Sequence, residues 1–163
     1  MRNIYCRSWQ KGGKQVLIVE CKNSDLPQIY DYIGSEYWKC LYLYLNLNKY
    51  GVQNDNIFTW QVFQETELQA VMMQYYDCMH FYSRNKDFCL EEISRHIYDR
   101  NCNVIISTGE NIRRLLPVFE KKFDAEFLGI FESPLKMEEY RHPIVEVANR
   151  DDLKRSAEFM LTD

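Results

Sequence analysis

Short apolar runs alternate with amphipathic stretches along this chain, separated by compact polar turns. Gln15 to Cys21 (QVLIVEC) is a brief run of Val, Leu and Ile after the turn Lys11-Gly12-Gly13-Lys14, which predicts a buried strand. Ser24 and Asp25 then mark a helix start, Leu26, Ile29, Tyr30 and Ile33 follow at helical spacing, and Gly34 ends the helix. Pro27 is compatible with a first turn. Tyr37 to Tyr50 (YWKCLYLYLNLNKY) admits two readings. Leu41, Leu43, Leu45 and Leu47 alternate as in a strand, whereas Tyr37, Leu41, Tyr44, Leu45 and Asn48 define a helical face. Leucine favours helix, β-branched residues are absent and Gly51 follows as a stop, so helix is the expectation.

Ile57 to Phe63 is aromatic and β-branched, and Leu68 to Tyr76 follows the polar turn Glu65-Thr66-Glu67. The two predict an antiparallel pair, extended or joined by Met79 to Tyr82. On that reading Tyr75 and Tyr76 share a strand and point to opposite faces, with packing roles. Leu90 to Arg100 is an amphipathic helix, with His96 expected in an exposed or capping position. Asn103 to Ser107 predicts a buried strand, and Thr108-Gly109 turns the chain into a helix from Glu110 to Phe123. Phe127 to Phe131 is a further strand, and a polar connector runs from Pro134 to Pro143. The sum is an α/β layered (α+β) domain with a mixed, largely antiparallel central sheet flanked by helices.

Composition narrows the function classes. A 163-residue chain with 46% hydrophobic, 15% aromatic and 27% charged residues can bury a sizeable core, which excludes a disordered or coiled-coil chain. The net charge of -4 and the lack of a basic stripe argue against nucleic acid as a partner. The longest apolar run, Cys40 to Leu45, is far below a membrane span, and Met1 to Ser8 lacks a signal-type apolar run. A cytoplasmic address without membrane association is therefore expected. The six cysteines (6, 21, 40, 78, 89 and 102) form no C-x-x-C pair, so neither a zinc site nor a disulfide scaffold is indicated. They read as reduced, small apolar residues. His80, His96 and His142 stand isolated, so no metal is expected and no catalytic histidine is assigned.

The segment Pro143 to Asp163 (PIVEVANRDDLKRSAEFMLTD) joins a short strand, Ile144, Val145 and Val147, to a helix N-capped by Asn149 with Asp152 three positions on. It resembles the first strand and helix of a GCN5-related N-acetyltransferase (GNAT) domain. Tyr42 to Gly51, Asn56 to Trp60, Leu68 to Asp77 and Ile105 to Glu110 resemble the N-terminal half of two-domain bacterial GNAT proteins. The resemblance implies a GNAT-like, acyl-CoA N-acyltransferase-like domain over residues 1–135, a connector over 136–142, and the start of a C-terminal GNAT domain over 143–163. It implies acetyl-CoA as the cofactor of the parent family and the C-terminal GNAT domain as a partner.

The same resemblance implies that the coenzyme pyrophosphate is held by backbone N–H groups at a strand-to-helix turn with the pattern R/Q-x-x-G-x-G/A. This chain lacks that pattern. Gln10 to Gly13 precedes a strand, and the better-placed turn, Ser107 to Asn111, has one glycine and an acidic Glu110. Ser107, Thr108 and Gly109 are therefore the candidate cofactor-binding residues, as a vestigial CoA turn, beside the alternative of an ordinary N-capped turn. No catalytic residue is assigned, and the chain is not expected to hold the coenzyme tightly. Three functions follow. The first is a non-catalytic N-terminal domain that covers or shapes the acceptor site of an acetyltransferase. The second is a stand-alone binding or homodimerisation module. The third is a minimal acetyltransferase using the Ser107–Asn111 turn.

Overall fold

The computed structural model describes residues 7–11 and 14–123, with side chains from Gln15 onward. The expected strand at Phe127 to Phe131, the Pro134–Pro143 connector and the segment from Pro143 to Asp163 lie outside the described residues, as does Cys6.

From Lys14 to Phe123 the predicted strands and helices occur in the predicted order, and two further strands that the pattern did not predict, Arg7–Lys11 and Gln53–Asn54, join them. Strands β1 (Arg7–Lys11) and β2 (Lys14–Glu20) lead through a 3-10 turn into helix α1 (Leu26–Ile33). A 3-10 segment (Gly34–Cys40) continues into helix α2 (Leu41–Tyr50), and the short β3 (Gln53–Asn54) precedes β4 (Ile57–Gln64), β5 (Glu67–Tyr75) and β6 (Cys78–Tyr82). Helix α3 (Leu90–Asp99), strand β7 (Val104–Ile106) and helix α4 (Gly109–Phe123) complete the described chain.

The sheet order is β1-β2-β4-β5-β6-β7, with β3 paired to β4. Every pairing is antiparallel except the last, in which β7 lies parallel to β6 with Cys78, Met79 and His80 opposite Val104, Ile105 and Ile106. Short turns join β3 to β4, β4 to β5 and β5 to β6, α1 and α2 lie between the antiparallel neighbours β2 and β4, and α3 supplies the crossover that the parallel β6–β7 pair needs.

Strand alternation divides the buried side chains between two faces. Val16, Ile18, Trp60, Val62, Met72, Met79 and Phe81 pack with Ile93 and Ile97 of α3 and Leu115 and Phe119 of α4. Ile57, Val71, Met73 and Tyr82 face Ile29 and Ile33 of α1 and Leu43 and Leu47 of α2. The sheet is thus covered on both sides, α1 and α2 on one face and α3 and α4 on the other.

Four local expectations are corrected. The Tyr37–Tyr50 stretch is helical as expected, but Tyr37, Leu41 and Leu45 are exposed and the core face is Cys40, Leu43 and Leu47. Strand β7 is not buried. Val104 is 48% exposed and Ile106 37%, because β7 closes the described sheet and its outer face lies past the cover of α1 and α2. His96 is buried, its ring 4.7 Å from that of Trp60, since Trp60 faces the α3 layer. Tyr76 is not on a strand. It sits in the β5–β6 turn at φ 53°, largely exposed, while Tyr75 ends β5 and stacks on Tyr50 at 5.8 Å.

Candidate functional site

The parallel pair creates the one place in the described sheet where two strands end side by side, each leading into a helix. Ligands of open sheets with parallel strands gather at such C-terminal ends. After β6 the chain passes through Ser83–Cys89 into α3, and after β7 through Ser107 and Thr108 into α4.

Side chains tie these two turns together. The ladder ends at the His80–Ile106 pair, and beyond it the Ser107 hydroxyl donates to the Phe81 carbonyl at 2.6 Å. One turn further, buried Asn111 donates through Nδ2 to the Ser83 carbonyl at 3.3 Å. Thr108 Oγ1 accepts from the Asn111 N–H at 3.2 Å and its carbonyl accepts from Ile112 N–H, so Thr108 N-caps α4. Above this seam Lys86 pairs with Glu110 at 3.8 Å and Arg114 with Asp87 at 3.4 Å. Ser107, Thr108 and Gly109 therefore stand at the strand-to-helix turn the sequence assigned to them, half-buried, with both hydroxyls engaged by the protein itself.

On the α1 side of the same strand ends lies a polar cluster that the sequence reading passed over. A register shift in the β4–β5 ladder, between Val62 and Phe63, leaves Gln69 out of the pairing. Its carbonyl instead accepts from Tyr32 OH at 2.6 Å and Ser83 Oγ at 2.7 Å, and its side-chain oxygen accepts from Asn85 Nδ2 at 2.7 Å. Tyr32 OH in turn accepts from the Arg84 N–H at 3.0 Å. Arg84 reaches back across Gly34 and donates from Nη2 to the Ile33 carbonyl at 3.1 Å. Glu36 accepts from Tyr82 OH at 2.8 Å and pairs with Lys39, with the Arg84 guanidinium 3.9 Å away. The available signal was the polar run Ser83-Arg84-Asn85-Lys86-Asp87 between an apolar strand and an amphipathic helix.

Hydrogen bonding and burial set the protonation of the groups around this cluster. Bonds from Lys39 and Tyr82 hold the Glu36 carboxyl below its usual range. Burial and the Glu36 carboxylate push the Tyr82 phenol well above its ordinary value, and burial raises Tyr32. Both phenols are thus protonated donors at neutral pH. Burial lowers His80, whose Nδ1 is buried without a hydrogen-bond partner, so its imidazole is neutral. Burial also raises the thiols: Cys40 is pushed up to about 12, Cys78 and Cys102 to about 11, and Cys21 higher still. Thiols in this state are poor nucleophiles. Among the described residues Cys21, Cys40, Cys78 and Cys102 are free thiols, and no group of three or more His, Cys, Asp or Glu is placed to hold a metal ion. No described helix is long and apolar enough to cross a membrane.

Because the Glu36 carboxyl is depressed in the folded state, its stabilisation is fully present above the ordinary carboxyl value of about 4.5 and is lost as pH falls through the lower, folded value. Tyr82→Phe should flatten the acid limb of a stability–pH profile, measured by urea unfolding between pH 2 and 7 (roughly the carboxylate window). An unchanged limb would show that the Tyr82–Glu36 bond does not form in solution.

Comparison of the chain with protein-family models, with curated proteins and with solved structures finds no match. The functional reading therefore rests on the residues and their geometry.

Proposed function

We propose that this chain is a worn GNAT-like, acyl-CoA N-acyltransferase-like scaffold. It serves an acetyl-CoA-dependent N-acetyltransferase as a non-catalytic N-terminal domain that covers or shapes the acceptor-amine site of the catalytic half. The observation that carries this reading is the parallel pair β6 and β7, the one parallel pair among the described residues, set at the end of an antiparallel run and linked through α3. GNAT enzymes seat the coenzyme's pantetheine between two such strands where they part, and bind its pyrophosphate at a glycine-rich strand-to-helix turn. The order of elements supports the scaffold.

The residues at the strand ends do not fit the coenzyme. Ser83–Cys89 holds no glycine and Ser107–Asn111 holds one. The groups that could meet a pantetheine or a phosphate are spent internally: Ser107 on Phe81, Asn111 on Ser83, and Thr108 on the first turn of α4. Glu110 adds a negative charge where a phosphate would approach. Ser107, Thr108 and Gly109 are on this reading the remnant of a cradle rather than a working one, and no transfer step is assigned to this chain.

Calorimetry with millimolar acetyl-CoA, coupled to thiol release in the presence of primary amines, tests the proposal. The expected result is no saturable heat and no thiol release. Submillimolar binding or turnover would sink the non-catalytic reading in favour of the minimal acetyltransferase.

A further inference from the structure

Met79 and Phe81 of β6 point into the α3 and α4 layer, so by alternation Cys78, His80 and Tyr82 share the face that α1 and α2 cover. His80 is paired with Met73 of β5 on one side and with Ile106 of β7 on the other. The cover ends at this position. Met73 and Tyr82 are buried and His80 is 4% exposed, whereas Ile106 is 37% exposed. Over the imidazole lies α2, whose Tyr42 ring stands 6.4 Å from it and is itself largely exposed. Beneath that cover Nδ1 has no hydrogen-bond partner. In the neutral ring an unused lone pair there is tolerated. In the imidazolium both nitrogens are donors, and the Nδ1–H would be buried with nothing to accept it.

No counter-charge offsets that cost. On β6 itself the Cys78 thiol and the Tyr82 phenol are held protonated by burial, and Tyr82 is turned to Glu36. From the 3-10 segment Glu36 is taken up by Tyr82 and Lys39, and Cys40 is a protonated thiol. From α2 the facing titratable group is Tyr42, while β5 and β7 present Met73 and Ile106. Arg84, past the end of β6, donates to the Ile33 carbonyl, and Asp77, before its start, accepts from Asn103. Burial alone holds His80 below its ordinary value.

We propose that His80 is an acid-sensitive latch on the α2 cover: when Nδ1 takes up a proton, α2 is released from the β6–β7 edge of the sheet, and at neutral pH it closes again. Water is the acceptor the imidazolium needs. The shortest route to it leads past Tyr42 and Ile106, both already exposed in part. Lifting α2 there hydrates the ring and leaves β4 and β5 in place. The opened state binds the proton with the ordinary imidazole value of about 6.5, and the closed state with a lower one. Closure is therefore fully favoured above about pH 6.5 and weakens as pH falls toward the lower, closed value, by at most about tenfold per pH unit. His96 takes no part, because it faces Trp60 in the other layer. The inference stands apart from the acyl-transfer reading, since it assigns no ligand to the strand ends.

Hydrogen exchange of the full chain at about pH 7.5 and 5.5, either side of the ordinary imidazole value and corrected for intrinsic rates, decides it beside His80→Leu. In the wild type, protection of the α2 amides at residues 45–50 should fall about threefold to tenfold at the lower pH, while that of β4 and β5 holds. In His80→Leu, which cannot take up the proton, the fall in α2 should vanish. Nitrogen chemical shifts of the wild-type imidazole need no variant. They should show the Nε2–H tautomer, titrating below the ordinary value. Wild-type α2 protection that stays constant, or that falls in step with β4 and β5, overturns the proposal. A fall that persists in His80→Leu, or an imidazole that titrates at or above its ordinary value, overturns it as well.

Discussion

Asn111→Asp should destabilise the protein by about 3–5 kcal/mol at pH 7, the penalty of an uncompensated buried charge. Asn111 is 3% exposed and its Nδ2 donates to the Ser83 carbonyl, so a carboxylate there would set two acceptors against each other away from water. Burial would raise the pKa of the new carboxyl in the folded state above its unfolded value of about 3.9. The folded state then binds the extra proton more readily, and the variant loses stability as pH rises through the raised folded value. Below the unfolded value the carboxyl is neutral in both states and can donate to Ser83, so most of the loss should vanish. Urea unfolding at about pH 3, 5.5 and 7 would resolve this. A loss under about 1 kcal/mol with no dependence on pH would mean that Asn111 does not bridge the two turns.

Gly34→Ala should cost about 2–4 kcal/mol, of which backbone strain supplies roughly 1–3. Gly34 sits at φ 53°, ψ -138°, outside the regions open to residues with a Cβ. A Cβ there would also come within 2.6 Å of Arg84 Nη2, the atom that donates to the Ile33 carbonyl. The two causes separate in a double variant. Adding Arg84→Ala removes the clash but leaves the strain, so the double variant should lose less than the sum of the single losses. Strictly additive urea midpoints would show that Arg84 does not cross over Gly34 in solution.

The elements were legible wherever local pattern and burial agree. Val16 to Val19 could only be a sheltered strand, and Ile93 and Ile97 with their polar neighbours could only be a half-buried helix. The stretch from Tyr37 to Tyr50 was harder because it is apolar on two faces, and only one of them meets the core. Alternation of leucines there reports two demands, core packing at Leu43 and Leu47 and an exposed stripe at Leu41 and Leu45. Strand β7 misled for a related reason. Its Val-Ile-Ile run suggests burial on both faces, yet its place at the end of the described sheet leaves Val104 and Ile106 uncovered, and place in a sheet is not a local property.

The junction was legible in part. A strand followed by Ser107, Thr108 and Gly109 marks a strand-to-helix turn, and Thr108 does cap α4. The partners of that turn were out of reach, because Phe81 and Ser83 lie more than twenty residues away and enter only through parallel pairing. The Gln69 cluster was hidden more deeply. It depends on one unpaired carbonyl at a register shift, and Tyr32, Ser83 and Arg84 gain their roles only once that carbonyl is fixed in space.

The central claim is that β6 and β7 run parallel and that their ends are held together by the protein's own groups. Cross-strand nuclear Overhauser contacts on isotopically labelled protein test it most directly. The account predicts the parallel set linking Met79 and His80 to Ile105 and Ile106, continuing to contacts between the Asn111 side-chain amide and Ser83. An antiparallel set, or an Asn111 amide exchanging freely with water, would contradict it.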